Sequence, residues 1–577
     1  MPLRDSRRLT GPNLLLSSAG AILEVECADA RATAVIDSWR RALVAGLDAL
    51  GWSNARIAER RVPGGALLAF AAPIDLLYAA TELNEWAWSC AEAGLDDAAI
   101  SVSLATALPD LRAAAEREAN PRLRALDDEA RRRDIACLWD EHGMTLGLGA
   151  GSSTWPLDAL PSDHEIDWPR RHDVPVALVT GTNGKTTTVR LVAAMLRAAG
   201  RHVGTTSTDG VRVDDRGLDR GDYSGPGGAR LALRDPEVDV AVLETARGGI
   251  LRRGLAVERA TAALLTNVAE DHLGEFGVAS LRDLLESKLV VASVVLPTGR
   301  VVLNADDPFV AAEAPPILAA REVQAPLVWY GREAQNPTLR AHLDRGGEAC
   351  LVAQGRFVHV ALGQTTELCA VTDAPITFEG AAWHNVSNAL GAIALARALG
   401  APFAAIDSTL RTFGRSAEEN PGRGLRIDLG GITLLVDFAH NPHGMRALVD
   451  LALSLPARRR AILLGQAGDR DDATIRQLAR VAWTLRPDLI LLKEMTAYLR
   501  GRREGEVPEL LRREFLALGA TPERILAASN EEEALLAALR WAEVGDLLVL
   551  PIHAERETIL TRIHELEASG WRAPFAH

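Results

Sequence analysis

The segment Val179-Thr-Gly-Thr-Asn-Gly-Lys-Thr-Thr-Thr188 has the residue types to hold phosphate. It follows an apolar run, 176–180, and opens a helical pattern over 187–199. A glycine-bearing turn at a helix start offers backbone N–H groups to anionic oxygens, and the helix dipole adds positive potential. The turn comprises Gly181, Thr182, Asn183, Gly184 and Thr187 around Lys185 and Thr186. Lys185 has the reach for β- and γ-phosphates, and the Thr186 hydroxyl suits magnesium. The match to the GxxxxGKS/T pattern is imperfect, because Val179 fills the first glycine position and Gly181 stands two residues later.

Three further constellations accompany this loop. Glu244 closes the apolar run Val240-Ala-Val-Leu-Glu244, at the strand edge where open α/β sheets bind ligands. It reads either as a magnesium ligand or as an acid at a helix start. Asn267, Asp271 and His272 follow a second run, 263–266. Imidazole is an uncommon magnesium ligand, so the residues alone favour a structural His272. Lys288 ends Asp283-Leu-Leu-Glu-Ser-Lys288 in an apolar neighbourhood. It is either paired with Asp283 or Glu286, or engaged in chemistry.

Lysine usage bears on that choice. Of 63 basic residues only Lys185, Lys288 and Lys493 are lysine, so sixty are arginine. Where charge alone suffices, this sequence uses Arg. An ammonium is compact and can deprotonate to react at nitrogen, whereas a guanidinium stays charged. The surviving lysines are therefore candidates for work that Arg cannot do, although Lys493 gains no role from the sequence beyond its place at a strand end.

The elements that must position these residues are legible as periodicity. Residues 1–148 read as a small α+β domain, with a strand over 21–26 and helical runs over 30–50, 75–93 and 111–139, the last broken at Pro121. Glycines and four prolines mark 149–175 as a linker. From Val176 to about residue 415, strands at 176–180, 238–243, 263–266 and 300–303 alternate with helices, the pattern of a parallel sheet. Residues 416–577 repeat it on a smaller scale, with strands at 432–436, 461–464, 489–492 and 547–550.

The net charge of −14 argues against nonspecific nucleic-acid binding, which needs basic surface. No run approaches the ~20 apolar residues of a membrane span, and the polar, Arg-rich start does not resemble a signal peptide. Five dispersed cysteines (Cys27, Cys90, Cys137, Cys350, Cys369) suggest neither zinc site nor disulfide framework. A cytoplasmic protein is expected, acting on small molecules or peptides, with no nucleic-acid or membrane partner; a homo-oligomer is left open.

Taken together, these motifs resemble the Mur ligase family, and within it the branch of the cyanophycin synthetases. The resemblance rests on Gly181–Thr186, Thr206-Ser-Thr-Asp-Gly210, Gly221-Asp-Tyr-Ser-Gly-Pro226, Glu244-Thr-Ala-Arg-Gly-Gly249, Asp271-His-Leu-Gly274 and Leu303-Asn-Ala-Asp-Asp-Pro308. It continues in His384-Asn-Val-Ser-Asn388, Asn420-Pro-Gly-Arg423 and Asp437-Phe-Ala-His-Asn-Pro442. The fold it implies is α/β, with a Mur-ligase-like P-loop central domain and a smaller Rossmann-like C-terminal domain behind the α+β N-terminal one. It implies ATP at Lys185 and Thr186, and magnesium at Thr186, Glu244 and His272. It implies nucleotide contacts from Asn385, Asn388, Asp437 and His440, and an Arg423 that reaches the γ-phosphate. Lys288 resembles the lysine that many members carbamylate. The first 148 residues are too few for the N-terminal and ATP-grasp domains that precede the Mur-like half in that branch, so one coupling is expected rather than two.

The implied chemistry is ligation. ATP converts a carboxylate into an acyl phosphate and an amine attacks it, with Asp271 or His272 as candidate base. The resemblance suggests an amino acid such as arginine, joined to an aspartyl side chain, and Asp469, Asp471 and Asp472 form a candidate cation-binding set. Two rivals stand beside this: a Mur-type ligase for a different pair of substrates, and a nucleotide-binding regulator without catalysis.

Overall fold

The computed structural model describes residues 2–27, 29–271, 273–416 and 418–575. Two compact units emerge. The first holds residues 1–353, 358–367 and 390–406; the second holds 354–357, 368–389 and 407–577.

The first unit opens on a four-stranded antiparallel sheet in the order Leu3–Leu9, Gly20–Glu26, Gly65–Ala71, Ile57–Val62. The helices Asp29–Leu50 and Leu77–Glu92 pack with it around Trp39, whose indole N–H donates to Asn84 Oδ1 at 2.9 Å. Pro121 is not a simple break. It starts a new helix, Pro121–Arg132, with the Asn120 side chain capping Leu123 N, the position where proline's missing N–H costs nothing. The stretch read as a linker is packed: Ser153–Trp155 adds a strand beside Gly143–Leu146, and Ile166 and Trp168 join the core of Leu123 and Leu126. Pro and Gly punctuate it, but its aromatic and aliphatic residues have surface to bury.

The central sheet of this unit is parallel around Val176–Thr180, which lies between Val240–Glu244 and Ala260–Leu265. Val203–Ser207 extends one side; Val295–Asn304, Leu327–Gly331 and Glu348–Ala353 extend the other. Every residue of Val176–Thr180 and of Val240–Glu244 is buried, as expected of strands covered on both faces. Because neighbours on the two sides come from later crossovers, the C-terminal end of Val176–Thr180 is a topological switch point, where α/β sheets bind ligands.

The N-terminal sheet is fastened to the central domain by specific bonds. Leu255 N donates to Pro12 O at 2.7 Å, Arg7 Nε donates to Leu251 O at 3.1 Å, and Arg60 pairs with both Asp283 and Glu286.

The second unit carries a six-stranded sheet in the order Leu425–Leu429, Ile432–Asp437, Leu547–Pro551, Arg460–Leu464, Leu489–Lys493, Ile525–Ala528. All pairings after the first hairpin are parallel. No described helix is long and apolar enough to cross a membrane.

Candidate functional site

The strand Val176–Thr180 ends on Gly181, and the helix Lys185–Ala198 begins after Gly184. Gly181 sits at φ +144°, and a Cβ there would fall 1.8 Å from Thr266 Oγ1; only glycine lets the two segments approach so closely. Thr266 donates to Asn183 O at 2.6 Å, Asn267 Nδ2 donates to the same carbonyl at 3.0 Å, and Asn267 Oδ1 accepts from Asn183 N at 3.0 Å. Thr182 N donates to Asn267 O at 2.9 Å. The segment after Ala260–Leu265 therefore holds the turn from one side. Sequence reasoning passed over Thr266; its signal was only its place at a strand end beside Asn267.

Lys185 lies over the turn, its ammonium donating to Gly181 O at 3.1 Å and Thr182 O at 3.0 Å. Thr186 and Glu244 are both buried, and the Thr186 hydroxyl donates to Glu244 Oε2 at 2.8 Å. Glu244 reaches it because Val240–Glu244 runs parallel to Val176–Thr180, with Glu244 opposite Val179. Thr187 is buried in the first turn of the same helix.

Lys288 ends the helix Leu281–Lys288 and is 4% exposed. Neither sequence-predicted partner takes it: Asp283 and Glu286 face outward and pair with Arg60. No described residue accepts a hydrogen bond from its amine. Burial, reinforced by Lys185 and Arg247 and opposed by Asp271, holds its pKa well below the usual lysine range. The physical cause is desolvation of a charge with no bonded counterpart. Arg247, itself buried, pairs with Glu275; its only signal was its place in the motif after Glu244. His272 lies outside the described residues.

The remaining candidates belong to the second unit. Asn385 donates to Ile376 O at 3.0 Å and accepts from Asn388 Nδ2 at 3.1 Å. The neighbouring His384 is held neutral, its pKa pushed down to about 4 by burial and His443. Asp437 ends Ile432–Asp437 and accepts from Gly424 N at 2.7 Å. Desolvation raises its carboxyl above the ordinary range, against the pull of Arg423. A Cβ on Gly424 would lie 3.4 Å from Asn385 Nδ2 and 4.0 Å from Asp437 Oδ2, so Asn385 and Asp437 face one glycine turn. Arg423 stacks on Phe438 at 4.2 Å, and His440 meets the same ring edge-on at 5.4 Å.

The acidic set Asp469, Asp471, Asp472 is a correction. Asp469 pairs with Arg500, Asp471 caps the helix Asp472–Trp483 through Thr474 N at 2.8 Å, and Asp472 pairs with Arg502 at 2.9 Å. Their charges are engaged in capping and ion pairs, so they do not form a shared cation site.

The family model of the Mur ligase middle domain matches residues 179–396, and that of the Mur ligase, glutamate ligase domain matches 422–551. A cyanophycin synthetase of Synechocystis sp. is 40% identical over 380 residues, covering 65% of this chain and 42% of its own length. The UDP-N-acetylmuramoyl-L-alanyl-D-glutamate--2,6-diaminopimelate ligase of Thermosynechococcus vestitus is 26% identical over 397 residues, covering 67% of this chain and 72% of its own. Escherichia coli FolC in complex with ADP shares the fold, with a TM-score of 0.50 and 20% identity over 68% of this chain and 90% of that one. The chain thus spans under half the length of the cyanophycin synthetases it matches. The phosphate loop, Glu244, Asp271, Lys288, Asn385 and Asn388 lie within the first matched region, and Arg423, Asp437 and His440 within the second.

Proposed function

Because this chain belongs to the Mur ligase family, we propose that it is an ATP-dependent carbon–nitrogen ligase, which phosphorylates a carboxylate and couples the acyl phosphate to an amine, releasing ADP and phosphate. The observation that carries this reading is the phosphate loop with Thr186 bonded to Glu244 at its helix start and a buried Lys288 within the field of Lys185.

The chemistry follows from what these groups do to charge. A carboxylate and a γ-phosphate repel, and phosphoryl transfer needs mainly alignment and neutralisation. Lys185 and the N–H groups at the start of the helix Lys185–Ala198 are the groups we propose to grip the β- and γ-phosphates, and Arg423 is the further phosphate-binding cation that the family resemblance implies. Thr186 and Glu244 are hard oxygen donors 2.8 Å apart, which would suit magnesium, and His272 is the further ligand that the family resemblance implies. When bound, magnesium neutralises phosphate charge. Asn385, Asn388, Asp437 and His440 hold the nucleoside. Lys288, whose burial favours the neutral amine, is the group we propose to add to carbon dioxide, forming a carbamate with release of a proton. Asp271 or His272 takes the amine proton. The domain limits this implies are 176–415 for the nucleotide-binding module and 416–577 for the C-terminal one.

For substrates we propose an aspartyl side chain and an amino acid such as arginine. The support is the 40% identity to a protein named cyanophycin synthetase. The test supplies ATP, an aspartyl peptide and single amino acids, with hydroxylamine in a second arm to trap an acyl phosphate. The expected result is ADP release that requires acid and amine together when hydroxylamine is absent, and a hydroxamate formed with ADP when hydroxylamine replaces the amine. ADP release with no dependence on any acid in a broad panel overturns the reading.

A further inference from the structure

The third lysine was left without work by the ligation chemistry, yet it is the most enclosed. Lys493 is 1% exposed at the end of Leu489–Lys493. Its ammonium bonds to Glu531, to Pro551 O at 2.6 Å and to His553 Nδ1 at 3.1 Å. All three protons of the ammonium are thereby directed at three partners on two segments, the start of helix Glu531–Trp541 and the stretch 551–553. Glu531, 1% exposed at the start of helix Glu531–Trp541, also accepts from the backbone N–H groups of His553 at 2.7 Å, Ala554 at 3.1 Å and Glu555 at 2.6 Å. The pair thus fixes the turn that follows Leu547–Pro551.

The bonds fix a tautomer and a direction. With Nδ1 accepting from Lys493, His553 carries its proton on Nε2, which donates to Ala439 O at 3.1 Å. Ala439 lies between Phe438, on which Arg423 stacks, and His440. The His553 ring also packs edge-on against Phe438, with centroids 5.2 Å apart. One residue earlier, Asp437 O accepts from Ile552 N at 2.8 Å. The segment 437–440 is therefore held by the chain that Lys493 anchors.

We propose that Lys493, Glu531 and His553 are positioning residues that set the 437–440 segment, and with it Asp437, His440 and the Phe438 platform of Arg423, in the geometry that binds the nucleotide. The proposal rests on the nucleotide role assigned above to Asp437, His440 and Arg423. It accounts for a lysine where the chain otherwise uses arginine. The compact ammonium reaches Glu531, Pro551 O and His553 Nδ1 together, whereas a guanidinium presents its donors in a rigid planar fork; the lysine stem packs on Gly465, where a Cβ would fall 2.6 Å from Lys493 Cγ. The groups facing His553 are Lys493, His440, Arg423 and Glu531; burial first, then Lys493 and His440, hold its pKa well below the usual histidine value, so it stays a neutral relay.

The experiment titrates the full chain with ADP and magnesium by calorimetry, comparing wild type with Lys493→Met, His553→Phe and His553→Gln. His553→Phe leaves the Lys493–Glu531 pair intact, so it keeps the test decisive if Lys493→Met fails to fold. His553→Gln retains an N–H donor for Ala439 O. The expected result is a rise in Kd of about tenfold or more for Lys493→Met and His553→Phe, with unchanged binding stoichiometry and near-wild-type affinity for His553→Gln. A structural defect alone would instead lower the stoichiometry and leave Kd unmoved. Equal Kd in wild type and His553→Phe overturns the relay, as does a drop in stoichiometry at constant Kd. Absence of ADP binding in the wild type overturns the nucleotide reading itself, a separate failure.

Discussion

Replacing Lys288 by methionine should stabilise the fold while abolishing ligation, and the stabilisation should fade as pH rises. The amine is buried without a hydrogen-bond acceptor among the described residues, and its folded pKa lies well below its unfolded one. At pH values between the two, the unfolded chain binds a proton that the native state does not. Stability then climbs with pH by about 1.4 kcal/mol per unit toward the unfolded pKa of about 10.5. Methionine has no such linkage, so its advantage over lysine should shrink by the same ~1.4 kcal/mol per unit wherever the pH lies between the folded and unfolded pKa of Lys288. In a unit of this size that is a Tm difference narrowing by roughly 2 °C per pH unit. Scanning calorimetry of both proteins in carbon-dioxide-free buffer measures it. Added bicarbonate should raise the wild-type Tm and leave the variant unchanged, because a ligand that binds only the native amine stabilises by mass action. A Tm difference that stays constant from pH 7 to 9 would mean that Lys288 is charged in the fold, and the argument from burial would be wrong.

Three further outcomes follow from the same geometry. Gly181→Ala forces a Cβ to 1.8 Å from Thr266 Oγ1 at a φ that disfavours L-residues, so ADP affinity should fall at least tenfold in a calorimetric titration. Asp471→Ala removes a helix cap and should cost about 1 kcal/mol of stability, read in urea unfolding; the KM for the amine should not move, since this carboxylate faces Thr474. Arg60→Ala leaves Asp283 and Glu286 without their cation and should cost roughly 1 kcal/mol, because the pair is only partly buried. Hydrogen exchange should speed up over the helix Leu281–Lys288 and hold steady in the second unit.

Much of the frame was legible because its cause is local. Val176–Thr180 is apolar at its first four positions and buried at every position, and the turn that follows announces itself by glycine spacing. Leu3–Leu9 was missed for the opposite reason. It reads LRDSRRL, and nothing in it is apolar enough to demand a strand; it becomes one by pairing with Gly20–Glu26, which is information held elsewhere in the chain. Arg60 is a sharper case, since its partners stand more than two hundred residues away. The carboxylates at 469–472 were legible as charge but not as function, because a cap and an ion pair consume the same residue types as a cation site.

The lysine census was the most informative feature of the sequence, and it carries a last prediction. Surface pairing in this chain belongs to arginine, as at Arg60, Arg131, Arg500 and Arg502. Each lysine sits where a guanidinium fails for a different reason. Lys185 curls onto two loop carbonyls from the first turn of its own helix, which a compact ammonium can do and a rigid fork cannot. Lys288 is buried with no described hydrogen-bond acceptor for its amine, so a permanent charge there is costly. Lys493 aims a compact ammonium at Glu531, Pro551 O and His553. Charge-conserving arginine substitutions should therefore fail at all three sites, yet fail differently. Lys185→Arg should weaken ADP binding, Lys288→Arg should bury a permanent unpaired charge at a cost of about 3–5 kcal/mol, and Lys493→Arg should disrupt the packing of the second unit alone. Calorimetric titration with ADP, thermal unfolding and hydrogen exchange separate the three signatures. Wild-type behaviour from Lys288→Arg in activity and stability would show that charge was all that position required.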